Sequence, residues 1–134
     1  MEEEPTFKPV GQSWTKWRGE ILGTGVYENG VFLMIVEIPR EYPFKPPNVR
    51  WLTTTWHPNI FRDRVCIGIL GKDWTPANSL VDVVESCRFL LTNPNPYDPL
   101  NTTASKQYIE DRERFARKAR EYVQRYATWD QLRG

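Results

Sequence analysis

Histidine occurs once in these 134 residues and cysteine only twice, too few for an ordinary structural zinc site or a disulfide framework. Neither a metal nor a cofactor is expected. A dominant charge is also missing: 18 basic against 17 acidic side chains leave +1, without the cationic bias of a nucleic-acid or membrane-surface binder. The longest apolar run, Val31-Phe32-Leu33-Met34-Ile35-Val36, is far short of a membrane span, and Met1-Glu2-Glu3-Glu4 is unlike a signal peptide. The expectation is a soluble, cytoplasmic monomer that engages neither nucleic acid nor membrane. No repeat, low-complexity linker or break in composition divides the chain. It reads as one domain, whose folding removes roughly two thirds of the unfolded surface from water.

Proline is what the chain has in quantity, 11 residues, and it punctuates the rest. From Trp17 to Leu22 larger apolar or small residues alternate with charged ones, the period of a half-buried strand. Gly23, Gly25, Asn29 and Gly30 mark a turn; Val31 to Ile38, β-branched and aromatic, predicts a second strand, and Asn48 to Leu52 a third. Between the last two, Tyr42-Pro43-Phe44-Lys45-Pro46-Pro47 has too few N–H donors for a helix or central strand and is a stiff loop. Ser79 with Asp82 three residues on starts a helix whose face is Val83, Val84, Cys87, Leu90 and Leu91, ended by Asn93-Pro94. From about Thr103 two helices follow, the second with Phe115, Ala119, Tyr122, Val123 and Tyr126 as its stripe.

Thr53 to Pro76 sustains no helical period, and irregular segments of that length are more often functional than not. It holds His57-Pro58-Asn59 and, seven residues after Asn59, Cys66 in Val65-Cys66-Ile67-Gly68-Ile69-Leu70. Cysteine is the side chain here that can carry an acyl group as a thioester at neutral pH. Cys87 falls on the apolar helix face, where a small core residue belongs. Cys66 with His57 would also suit a thiol hydrolase, although Trp56 and Pro58 crowd the imidazole that such a reaction needs as its base.

The order Tyr42-Pro43-Phe44-Lys45-Pro46-Pro47, His57-Pro58-Asn59, Cys66, Trp74-Thr75-Pro76-Ala77 and Asn93-Pro94-Asn95-Pro96-Tyr97-Asp98-Pro99-Leu100 closely resembles the ubiquitin-conjugating enzymes. The resemblance runs from about Pro9 to Ala127, which predicts a catalytic core over 9–127 with 1–8 and 128–134 as flexible or short terminal segments. It implies an α+β fold, a four-stranded antiparallel sheet flanked by helices. Cys66 would accept ubiquitin or a ubiquitin-like protein from an activating enzyme and pass it to a lysine of a protein substrate, usually with a RING-type ligase. The resemblance further implies that Asn59 donates to the developing oxyanion, that Asp98 meets the incoming lysine beside Tyr97, and that His57 is structural. Pro43 and Phe44, with Thr75, Pro76 and Ala77, match the family's two ligase-binding loops.

Other readings stand beside these. Asn59 after proline can hold its own loop, Asp98 can be a turn residue, and Phe44 can simply be buried. A modifier-binding scaffold that cannot be charged would share the fold. Three departures from the family's pattern also bear on rate. The amphipathic helix before the first strand is expected to be absent. The segment Ile60 to Val65 is one residue short and lacks a turn glycine, with Arg62 and Arg64 placed to favour either the Cys66 thiolate or the carboxylates of a modifier's tail; Gly68 stands where an Asp or Asn is common.

Overall fold

Alternation along the chain settles which face each strand buries. The computed structural model describes residues 7–133, the side chains of 132 and 133 excepted. Strand β1 (Lys8–Pro9), β2 (Lys16–Leu22), β3 (Val31–Glu37) and β4 (Asn48–Trp51) form one antiparallel sheet in that order. In β2, Gly19 and Ile21 are buried while Arg18 and Leu22 are exposed, the two sides of a pleat. Strand β3 is covered more fully, with Phe32, Met34 and Val36 in the core.

The sheet begins one residue earlier than the expected boundary at residue 9, and Phe7 before it is buried in the core. Gly19 explains the fit: a Cβ there would collide with the Phe7 ring. Among the described residues no helix precedes β1.

Strands β5 (Ile60–Phe61) and β6 (Arg64–Val65) make a separate hairpin inside the segment expected to be irregular. Arg62 takes the left-handed φ of 57° in its turn, filling with a bulkier residue the place a turn glycine would occupy. Trp51 N donates to Asp63 O at 2.9 Å and the Arg50 guanidinium meets the Asp63 carboxylate at 3.2 Å, fixing the hairpin to β4.

Helix α1 (Leu80–Thr92) opens with a reciprocal cap: Asp82 N donates to Ser79 Oγ at 3.2 Å and Ser79 N to Asp82 Oδ2 at 2.9 Å. Its buried residues are Val83, Val84, Cys87, Leu90 and Leu91. Helices α2 (Thr102–Glu110), α3 (Arg112–Tyr126) and the short α4 (Trp129–Arg133) complete the chain. One buried cluster joins Ile21, Phe32, Met34 and Trp51 of the sheet to α1 and to Phe115, Ala119 and Val123 of α3. Among the described residues no helix is long and apolar enough to cross a membrane.

Candidate active site around Cys66

The only imidazole works as a strut. His57 is fully buried, its Nε2–H donates to Leu90 O at the end of α1 (2.8 Å), and its Nδ1 accepts from Asn59 N (2.9 Å). Both ring nitrogens are therefore engaged in holding the loop to the helix. Burial lowers its pKa from 6.5 to about 4, the carbonyls near Leu90 and Leu91 opposing the shift, so the ring is neutral at physiological pH. No nitrogen remains to activate Cys66, and the hydrolase reading loses its base.

Asn59, 1% exposed, is the next link. Its Nδ2 donates to Asn95 O at 2.9 Å and to Asp98 O at 3.1 Å, while its Oδ1 accepts from Asn95 N at 2.8 Å. Its own carbonyl accepts from Cys66 N at 2.9 Å. One buried residue thus binds the cysteine strand on one side and the Asn95–Asp98 turn on the other. In this arrangement both carboxamide hydrogens are committed to that clamp.

Cys66 follows β6 directly and is half-buried, with Sγ 3.9 Å from Asp98 Oδ2. Its thiol pKa is raised, first by burial, then by the Asp98 charge and hydrogen bond, with Arg64 pulling the other way. The expectation that the two arginines favour the thiolate is thereby met only in part. Arg64 does act in that sense but is outweighed, and the Arg62 guanidinium lies over the Phe61 ring, 5.4 Å from its centroid. Alkylation of Cys66 by iodoacetamide, followed against pH, should shift to lower pH in Asp98→Asn and to higher pH in Arg64→Gln. Identical profiles would show that neither charge reaches the sulfur. Cys87, 1% exposed and pushed up to about 12, stays silent in that assay.

Tyr97, expected beside Asp98 near the site, is 86% exposed, its ring standing in solvent, and it does not line the space around the sulfur. The surroundings of the sulfur are instead a hollow of about 390 Å³ lined by Asn59, Cys66, Gly68, Lys72, Asp73 and Asp98, among others. A larger groove of about 680 Å³ shares Ile67, Gly68, Asp73 and Leu90 with it and continues along α1 past Asp82, Glu85 and Phe89. Lys72, Asp73 and Asn95 were missed as site residues in the sequence. The signal for the first two was Gly68 itself, whose absent side chain leaves room for the Asp73 carboxylate.

A family model described as ubiquitin-conjugating enzyme matches residues 2–123. The chain belongs to the ubiquitin-conjugating enzyme family. Among solved structures, the E2 domain of a Toxoplasma gondii ubiquitin conjugating enzyme is similar at 32% identity, with a TM-score of 0.86 over 91% of this chain and 87% of that one.

In this ubiquitin-conjugating enzyme fold the two candidate ligase loops are tied together. Trp74 Nε1 donates to Pro43 O at 2.8 Å, and the Tyr42 and Trp74 rings lie 5.9 Å apart. Phe44 is 78% exposed, which removes the reading that it is a buried core residue. Pro43 is half-buried, and Thr75, Pro76 and Ala77 are exposed, with Thr75 N held by Asn78 Oδ1 at 2.9 Å. A stiffened loop carrying an exposed aromatic loses little entropy on docking.

Proposed function

We propose that this protein accepts ubiquitin or a ubiquitin-like modifier from an activating enzyme as a Cys66 thioester and transfers it to a lysine amine of a protein substrate, with a RING-type ligase seated on Pro43, Phe44, Thr75, Pro76 and Ala77. The observation that carries this reading is the half-exposed Cys66 sulfur on the wall of an open hollow that continues into a groove along α1. A modifier tail needs such a channel.

In the first step the Cys66 thiolate attacks the activating enzyme's thioester, a sulfur-for-sulfur exchange that is close to thermoneutral. A raised thiol pKa suits a carrier, because a more basic sulfur is a poorer leaving group and so holds its acyl cargo longer against water. In the second step a substrate amine adds to the thioester carbonyl, the C–S bond breaks, and the sulfur leaves as thiolate. Asp98, beside the sulfur, orients the amine and takes its proton. Asn59 serves this step by fixing the Asp98 turn against the cysteine strand and, on giving up its longer bond to Asp98 O, by donating to the oxyanion.

The test is a charging assay with activating enzyme, ATP and modifier, run on gels with and without reductant. A reductant-sensitive conjugate that is lost in Cys66→Ala is the expected result. Failure to charge with ubiquitin and with every ubiquitin-like modifier, each supplied with its own activating enzyme, would leave the inert scaffold.

A further inference from the structure

The near-neutral total charge of the chain hides a segregation. Helix α3 holds six of the 18 lysines and arginines but only two of the 17 acidic residues, so it carries +4 while the rest of the chain carries −3. Its apolar stripe, Phe115, Ala119 and Val123, is buried in the core, which leaves the opposite side to the charges.

The six cations fall into two groups. Arg112 lies over the Tyr108 ring, 3.5 Å from its centroid, and its Nε donates to Tyr108 O at 2.7 Å. Lys118 Nζ stands 3.8 Å from the centroid of the Trp56 ring, and the Arg125 guanidinium 5.8 Å from that of Tyr126. These three cover aromatic surface of the protein itself. Arg114, Arg117 and Arg120 do not: all are exposed, and among the described residues their side chains make no hydrogen bond, ion pair or ring contact. Even Glu113 and Glu121, each four residues from Arg117, stay beyond ion-pair distance of it.

We propose that this face of α3 is a docking surface for an acidic segment of a protein partner, whose Asp and Glu side chains seat on Arg114, Arg117 and Arg120. Residues three apart on a helix are about 4.5 Å apart along its axis, so the three arginines set a row of roughly 9 Å. An extended chain advances about 3.3 Å per residue, and four of its residues span that row. The guanidinium fork takes a carboxylate through two parallel N–H···O bonds, which suits arginine to this use better than lysine. One exposed pair contributes little, so the affinity depends on several engaging together. Glu113 and Glu121, interleaved on the same face, decide between kinds of anion. A nucleic-acid backbone carries a charge on every nucleotide and would meet both, whereas a peptide can set neutral residues opposite them. Among the described residues none from α3 lines the hollow at Cys66 or the groove along α1, so a docked segment leaves both open. The surface does not depend on the thioester chemistry proposed above.

The experiment follows the fluorescence anisotropy of a labelled peptide, with four Asp and Glu residues spaced by Gly and Ser, on titration with the full chain. Saturable binding is expected, weakened at least tenfold when ionic strength is raised from about 0.1 to about 1 M, which shortens the screening length from about 10 to about 3 Å. Replacing Arg114, Arg117 and Arg120 together by Gln should weaken binding at least tenfold and leave the urea midpoint in place, since none of the three touches the protein. Arg117→Glu alone, at the middle of the row, should weaken it severalfold and serves if the triple variant does not fold. Replacing Lys8, Arg18 and Arg40 by Gln removes as much charge from exposed positions outside α3 and should change binding less than twofold. Absence of peptide binding, or equal losses in the two triple variants, would overturn the proposal. So would tighter binding to a single-stranded oligonucleotide of equal charge, or to phosphatidylserine-containing vesicles, which would assign the face to nucleic acid or to a membrane. Each of these results leaves the proposed function standing, because charging at Cys66 is assigned to none of these residues.

Discussion

Asn59→Ala should charge at close to the native rate and then discharge onto free lysine about a hundredfold more slowly, the cost typical of losing a donor or its positioning at a developing oxyanion. Charging is spared because sulfur exchange asks only for an accessible Cys66, whose backbone bond to the Asn59 carbonyl survives the substitution. Discharge suffers because Asn95 N, Asn95 O and Asp98 O lose their partner and the turn that carries Asp98 loosens from the sulfur. Single-turnover decay of the isolated conjugate measures this. Adding Asp98→Ala separates the two contributions. If Asn59 acts through the Asp98 turn, the double variant is little slower than Asp98→Ala alone; if it donates directly to the oxyanion, the losses multiply. Discharge equal to wild type would take Asn59 out of the mechanism.

The second large effect is acid lability centred on His57. In the folded chain its pKa lies at about 4, against 6.5 when exposed, so the unfolded state binds the proton first as pH falls. Stability is therefore complete above 6.5 and drains away between 6.5 and 4, by about 3 kcal/mol at the lower limit. Asp82 is also lowered, by the cap on α1, but its contribution disappears only below its ordinary value of 3.8 and so falls outside that window. Urea denaturation at intervals from pH 7.5 to 4 should show the midpoint falling through the histidine range. His57→Gln, less stable at neutral pH, should show a much flatter dependence there. A wild-type midpoint that held steady to pH 4.5 would mean that the ring is not buried in its neutral form.

Local patterns carried most of the fold. Period-two alternation located β2, β-branched density located β3, and Ser79 with Asp82 marked the start of α1 because a reciprocal cap is written in residues three apart. Strand β1 was not legible, since two residues hold no period and its existence depends on Phe7 finding the bare backbone of Gly19. The candidate nucleophile, Cys66, stood out by scarcity. Its electrostatics did not: the nearest cation in sequence is Arg64, two residues away, whereas the stronger perturbations are burial and Asp98, thirty-two residues on and brought near by the Asn59 clamp. For the same reason His57 looked like a possible base until Leu90 and Asn59 claimed its two nitrogens. Exposure was equally hidden for Phe44 and Tyr97, because aromatic residues in proline-rich loops occur both inside and outside proteins.

The bond from Trp74 to Pro43 has a mechanical consequence. Trp74 N also donates to Gly71 O, and Gly71 N to Gly68 O, so a chain of hydrogen bonds, the first through the indole and the rest through backbone, runs from the base of the Phe44 loop to within two residues of Cys66. The handle and the blade are forged in one piece. On the proposed function, a protein gripping the exposed phenyl ring would thereby hold the floor on which the acyl group rests, and would steady that floor without touching the cargo.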